Sequence, residues 1–207
     1  MQIVLIGIQG SGKGELIKNL SKVKDFTYVS VGALFRQEIA KRTALGKFVE
    51  PIMARGDLPD LQTTMKVVKK AIKNAKGDLV FDGFPRTAEQ ADALDKICKV
   101  DIAIYLKLNK SVAKKRLLNR LTCVNCQHIT SKDKVKTLTC PVCGGKLATR
   151  HDDTTTSIDQ RFKVFEEVTM PLIKRYKAQG VLHQVDASKT IQEVFEEVKK
   201  VLNECPN

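Results

Sequence analysis

The stretch Met1-Gln-Ile-Val-Leu-Ile-Gly-Ile-Gln-Gly-Ser-Gly-Lys-Gly14 constrains this chain more than any other part of it. Residues 3–6 read as a buried strand. Glycines at 7, 10, 12 and 14 then surround Lys13, and residues 15–20 read as a helix. A strand that empties through GxxxxGK into a helix has the sequence form of a phosphate cradle. Glycine tolerates the positive-φ turns that aim successive N–H groups inward, and a helix N-terminus adds about half a positive charge. Gly10, Ser11, Gly12, Lys13 and Gly14 are therefore candidate phosphate-loop residues, with Lys13 supplying a full charge to β- and γ-phosphates.

The remainder alternates between two periodicities. Apolar runs at 27–31, 78–81, 102–108 and 181–185 join the first as strands, and helical patterns cover 12–22, 60–76, 87–98, 110–121, 157–179 and 190–203. Strands that alternate with helices predict an α/β fold, a parallel five-stranded sheet wrapped on both faces. Runs of Val, Ile and Leu without polar alternation suit strands buried on both sides. Pro171 removes one N–H from the long late helix and crowds the preceding turn, so a bend or break is expected there. Two segments leave this rhythm: 31–59, helical with no strand of its own, and 121–150, polar and strand-poor.

The second of these carries two cysteine knuckles, Cys123-Val-Asn-Cys126 and Cys140-Pro-Val-Cys143-Gly-Gly145. Two CxxC pairs at this spacing, with glycines after the second, predict a closed tetrahedral site of four thiolates holding a structural Zn²⁺. Two disulfides are the competing arrangement, which a reducing cytoplasm disfavours, and a redox CxxC needs only one pair. With four sulfurs present, His128 is expected to be a surface residue; Cys98 and Cys205 lie apart as bystanders. So short a segment has little core of its own, and the metal is expected to supply much of its folding free energy.

The formal charge of +13 calls for a polyanionic partner or a solvated basic surface. Much of the excess is lysine scattered along helices, and aromatic residues make up only 5% with no Trp, which argues against nucleic acid as the partner. No apolar stretch approaches the ~20 residues of a bilayer span, so no membrane partner is expected. The first strand follows directly on Met1 with no basic leader, and a cytoplasmic location is the expectation.

A third motif, Phe81-Asp82-Gly83-Phe84-Pro85-Arg86-Thr87 followed by Gln90, places an aspartate at the C-terminal end of a buried strand beside the first loop. An aspartate so placed can orient Mg²⁺ through its water shell. Arg86 then opens the next loop within reach of an acceptor phosphate. The loop 7–14, the segment 82–87 with Gln90 and the cysteine insertion, in this order, resemble the adenylate kinase family in its form with a zinc-bearing lid. The similarity runs over nearly the whole chain. It implies a core (1–29, 60–120 and 150–207), a domain for the nucleoside monophosphate (30–59) and a lid (121–149). It also implies reversible transfer of the terminal phosphoryl of ATP to AMP giving two ADP, with Mg²⁺ bound alongside ATP.

Carried over residue by residue, the resemblance puts Gly10, Ser11, Gly12, Lys13, Gly14, Glu15, Arg116, Arg120 and Lys189 at ATP. It puts Val31, Arg36, Gly83, Arg86, Gln90, Arg150 and Arg161 at AMP. Lys13, Asp82, Arg86, Arg120, Arg150 and Arg161 fall at the transferring group, and Asp152 and Asp153 at the lid hinge. Nothing in the chain demands a partner subunit, and a monomer is expected. The family usually has proline at Gln9, threonine at Glu15 and Val31, aspartate at Ala33 and glycine at Asn119. Val31 lacks a hydroxyl near the acceptor, which keeps UMP, CMP or a deoxynucleotide open as acceptor, whereas Gln90 argues for adenine. Glu15 is the sharpest departure, a carboxylate where a hydroxyl commonly meets the donor phosphate. Either it swings outward, or neighbouring cations offset it, or activity is reduced. The basic charge and Glu15 together leave room for a degenerate homologue or a zinc-ribbon nucleic-acid binder, which would leave the arginine set without a purpose.

Overall fold

Every residue from Ile3 to Ile6 is buried, and the rest of the sheet is built around that strand. The structure, a computed structural model, describes residues 1–73, 75 and 77–204. Cys205 and the last turn of the helix expected over 60–76 (residues 74 and 76) lie outside the described residues.

In chain order the elements are β1 (Gln2–Ile6), α1 (Lys13–Leu20), β2 (Phe26–Ser30), α2 (Val31–Ala40), α3 (Ala44–Arg55), α4 (Leu61–Lys73), β3 (Asp78–Asp82), α5 (Ala88–Asp95) and β4 (Ile102–Lys107). They continue with α6 (Lys110–Leu118), β5 (Arg120–Cys123), β6 (Ile129–Ser131), β7 (Leu147–Ala148), α7 (Thr155–Val164), α8 (Met170–Ala178), β8 (Leu182–Asp186) and α9 (Ile191–Glu204). The main sheet runs β2-β3-β1-β4-β8, and every neighbouring pair is parallel. Five strands and their direction match the sequence expectation.

Burial on both faces explains the unbroken apolar runs. Val4, Ile6, Val29, Phe81 and Ala103 face a cluster completed by Phe35, Phe84, Phe162 and Tyr176. Ile3, Leu5, Val80 and Ile104 face the other, with Leu16 and Leu20 of α1 and Val194 and Val198 of α9. β1 is central, so the loop after it opens where connections leave the sheet in opposite directions, the usual ligand crevice of such folds.

Val31 is the first residue of α2 rather than the end of β2, and its side chain is buried in the core. The helix expected over 157–179 is not broken at Pro171: the backbone stays helical from α7 into α8, and a π-turn over Phe165–Thr169 just ahead of the proline accommodates its missing N–H. The insertion is not free of strands. β6-β5-β7 form a small antiparallel sheet around Leu121, Cys123, Cys140 and Leu147. Strands of two to four residues carry too little pattern to be seen in sequence. Among the described residues no helix is long and apolar enough to cross a membrane.

Candidate active site

The phosphate loop closes around its own lysine. Lys13 Nζ donates to the carbonyls of Gly7 (2.7 Å) and Ile8 (3.2 Å) and to Ser11 Oγ (3.3 Å). Gly10 and Gly12 adopt φ of +88° and +91°. At Gly10 a side chain is impossible twice over, since a Cβ would also lie 2.9 Å from the Ala113 carbonyl of α6. Burial lowers the Lys13 pKa to about 8, helped by Arg86 and Arg120 and opposed by Asp82. The buried side-chain oxygen of Gln9, in the same loop, has no hydrogen-bond partner among the described residues. It lines a cleft with Lys13, Gly83 and Arg86.

Asp82 ends β3 directly across from this loop, in register with Leu5 of β1 on one side and Ser30 of β2 on the other. Its Oδ2 accepts from Tyr28 Oη (2.7 Å) and Ser30 Oγ (3.4 Å). The chain then turns through Gly83, at φ +71°, where a Cβ would sit 2.7 Å from Arg86 Nη2. Arg86 Nε donates to the Gly83 carbonyl (3.1 Å), and its backbone N–H donates to Gln90 Oε1 (2.8 Å). Thr87 caps α5 by accepting from the Gln90 N–H (3.1 Å), which fixes Gln90 in the first turn with its oxygen already engaged.

Six cations share one field here: Lys13, Arg36, Arg86, Arg120, Arg150 and Arg161, against the carboxylates Asp82, Asp152 and Asp153. The carboxylates are unevenly shared. Arg120 makes a two-pronged pair with Asp153 (2.8 and 2.6 Å). Arg161 reaches Asp153 (2.9 Å) and Asp152 (3.2 Å) and also donates to the Asp152 carbonyl. Burial disfavours the Asp153 charge, but these two guanidinium groups still hold its pKa below the usual carboxylate range. Arg36, Arg86 and Arg150 have no ion-pair partner among the described residues. Burial lowers the pKa of each, Arg150 to about 9, and in every case neighbouring arginines push the same way. Arg150 is aimed by Thr122, whose Oγ1 accepts from its Nε at 3.0 Å.

Other expected site residues lie further out. Arg116 is exposed and donates to the Ala187 carbonyl (3.1 Å), bridging α6 to the turn after β8. The Lys189 side chain turns away to Glu197 on α9 (2.9 Å). Val31 packs in the core beside Phe35 and Val49, so its missing hydroxyl is replaced by apolar contact. Glu15 lies in the first turn of α1, half-buried, with no ion-pair partner among the described residues. Asn119 ends α6 at φ −90°, an ordinary backbone conformation that does not call for glycine. Tyr28, Ser30 and Thr122 did not stand out in sequence. Their only signal is position, two residues on the same strand face for the first pair and one residue before a cysteine for the third.

The four cysteine sulfurs, Cys123, Cys126, Cys140 and Cys143, all lie within 4.8 Å of one another, and two pairs are 3.5 and 3.6 Å apart. Zinc–sulfur bonds of about 2.3 Å in a tetrahedron separate sulfurs by roughly 3.8 Å, so the donor set fits Zn²⁺. Backbone N–H groups of Cys126 and Asn125 aimed at the Cys123 sulfur bring its pKa down to about 6 against the effect of burial. The Val142 N–H likewise donates to Cys140 Sγ (3.4 Å). This insert folds over α1: His128 Nδ1 lies 3.4 Å from Lys18 Nζ, and a Cβ on Gly14 would lie 3.9 Å from Ile129 Cδ1. His128 is thus a half-exposed surface residue, as expected, that also contacts α1.

A glycine loop between the central strand and α1, facing a cluster of unneutralised guanidinium groups, defines a P-loop protein with a site suited to polyphosphate. The adenylate kinase family model matches residues 5–181. The adenylate kinase of Thermosipho melanesiensis is 36% identical over 213 residues, spanning 98% of this chain and 99% of the relative. Those of Clostridium tetani and Archaeoglobus fulgidus are 35% and 32% identical, each over 98% of both chains. The chain belongs to the adenylate kinase family.

Proposed function

We propose that this protein moves the terminal phosphoryl of ATP to AMP, reversibly, giving two ADP. The observation that supports it most is the trio Arg36, Arg86 and Arg150, which lie in the charged cluster around Asp152 and have no ion-pair partner among the described residues. Phosphoryl transfer needs little covalent help and much charge neutralisation along an in-line path. Guanidinium forks match phosphate oxygens two-pronged and stay charged at working pH. Lys13 and the N–H groups of Gly10, Ser11, Gly12 and Gly14 hold the donor phosphates, with Arg116 and the backbone at Lys189 flanking the donor base. Arg36 and Arg86 grip the AMP phosphate, beside Gly83 and Val31, and Gln90 reads the adenine edge with its amide N–H. Arg120, Arg150 and Arg161 converge on the group in transit. Asp82 would hold Mg²⁺ through its waters, and the ion, bound with ATP, neutralises β- and γ-oxygens.

In this reading 30–59 is the monophosphate domain, 121–149 the lid and the rest the core. A lid over the site keeps water from taking the phosphoryl. Asp152 and Asp153, tied to Arg161 and Arg120, couple its hinge to the reacting centre. Zn²⁺ on Cys123, Cys126, Cys140 and Cys143 stiffens the lid and does no chemistry, and the chain works as a cytoplasmic monomer. The test is a coupled assay with ATP and a panel of monophosphates. AMP should be the preferred acceptor. Preference for UMP, CMP or a deoxynucleotide would reassign the acceptor. Steep salt-dependent binding to DNA or RNA with no transfer would overturn the reading.

Two smaller effects follow from the loop. Burial lowers the Lys13 pKa to about 8 in the free protein, and a polyphosphate beside it raises it again by favouring the charged form. ATP binding at mildly alkaline pH should therefore take up a fraction of a proton. Calorimetry in two buffers of different ionisation enthalpy reads it, and a value of zero contradicts it. Glu15 is a carboxylate beside the donor phosphates with no ion-pair partner among the described residues, so Glu15→Thr should lower the KM for ATP by roughly 3- to 10-fold at low salt. An unchanged KM with unchanged kcat means the side chain swings clear of the nucleotide.

A further inference from the structure

We propose that Tyr28 is a positioning residue for phosphoryl transfer, pinning one oxygen of Asp82 so that the other is presented to the nucleotide cleft. The proposal rests on the reading of Asp82 given above.

Parallel pairing sets Tyr28 opposite Val80 and Ser30 opposite Asp82, so both hydroxyls rise on one face of β2 toward the end of β3. Tyr28 Oη donates to Asp82 Oδ2 at 2.7 Å, and Ser30 Oγ reaches the same oxygen at 3.4 Å. No hydrogen bond or ion pair reaches Oδ1 among the described residues. That asymmetry matters because the last torsion of an aspartate is broad and roughly two-fold. Left alone, the carboxylate would swing, and the cation Lys13 across the cleft would compete for it. Two donors on one oxygen fix the plane of the group and leave the second oxygen for the cleft.

Tyrosine suits this task. Its ring is rigid and carries the hydroxyl from the edge strand across to β3, a span serine covers only loosely. Burial, together with the Asp82 charge and the hydrogen bond, raises the phenol pKa far above its ordinary value. Tyr28 is therefore a donor throughout the working range and never a second anion beside the phosphates. Tyr28, 38% exposed at the sheet edge, contributes only part of its area to the core, so removing its hydroxyl should disturb packing little.

Tyr28→Phe deletes that hydroxyl alone. We expect kcat to fall ~10-fold, the scale of losing a partner that orients a metal-side ligand. The KM for AMP should stay within about two-fold, because the acceptor arginines are untouched. Calorimetric binding, read without turnover, should show the preference for MgATP over metal-free ATP reduced several-fold, with the melting temperature unchanged. Asp82→Asn is the control. In its background Tyr28→Phe should add no further loss, since Tyr28 acts only through the carboxylate. If Asp82→Asn is impaired but Tyr28→Phe retains wild-type kcat and metal preference, the proposal fails while the role of Asp82 stands. If Asp82→Asn itself is fully active, the underlying reading fails first. Equal additional losses in both backgrounds, or a lowered melting temperature, would make Tyr28 a structural residue and overturn the proposal.

Discussion

Replacing Arg86 by alanine should lower kcat/KM by at least ~100-fold, the scale of removing one preorganised electrostatic stabiliser. Arg86 is held by the protein yet not neutralised by it. Its Nε is tied to the Gly83 carbonyl, and its backbone is tied to Gln90. No carboxylate lies within ion-pair reach among the described residues, and burial with Arg161 and Arg36 nearby lowers its pKa. Asp82 and Asp152 offset part of this from a distance, but a largely desolvated guanidinium with two arginines nearby and no ion-pair partner of its own is costly to the free protein until an anion completes it. The melting temperature of Arg86→Ala should therefore be unchanged or slightly raised while the activity collapses. Arg86→Lys should recover little, because a point charge cannot reproduce the planar fork. A near-normal rate in Arg86→Ala would remove Arg86 from the site.

Arg120 and Arg161 should behave differently from Arg36, Arg86 and Arg150, although nothing in the sequence separates paired from unpaired guanidinium groups. Both are paired to the nearly buried Asp153. Truncating either leaves a carboxylate short of a partner, so stability and rate should fall together. This division between neutralised and free guanidinium groups was not legible in sequence, since it depends on side chains 33 and 8 residues apart meeting in space. The loop around Lys13 and the cysteine knuckles were legible because local spacing alone carries their chemistry. The sheet was legible because strands buried on both sides leave unbroken apolar runs. Tyr28 was not, since a tyrosine on a strand is ordinary and only the partner strand shows what its hydroxyl meets. Nor were β5, β6 and β7, whose two to four residues are too few to carry a readable alternation.

Stripping the metal from the cysteine site should unfold residues 121–149 before the core. The insert encloses only Leu121 and Leu147 as fully buried aliphatic side chains, with Cys123 and Cys140 as the other buried members and Val135 against them. Two such leucines contribute about 1.5–3 kcal/mol each, whereas a structural zinc site in small domains contributes about 10–16 kcal/mol of folding free energy at pH 7. The main sheet has two extensive clusters of its own and no such dependence. Chelator added to the zinc-loaded protein should therefore abolish amide protection in β5 and β7 while β1, β3 and β4 stay protected. A low-temperature transition should appear separately from that of the core. Activity should fall in step, because β5 begins at Arg120 and its Thr122 aims Arg150, so a melted insert releases two of the cations proposed to act on the transferring group. Cys126→Ser should weaken metal retention and reproduce the early transition. A single transition that chelator does not shift would mean that the polypeptide alone holds the insert, and the four sulfurs would need another explanation.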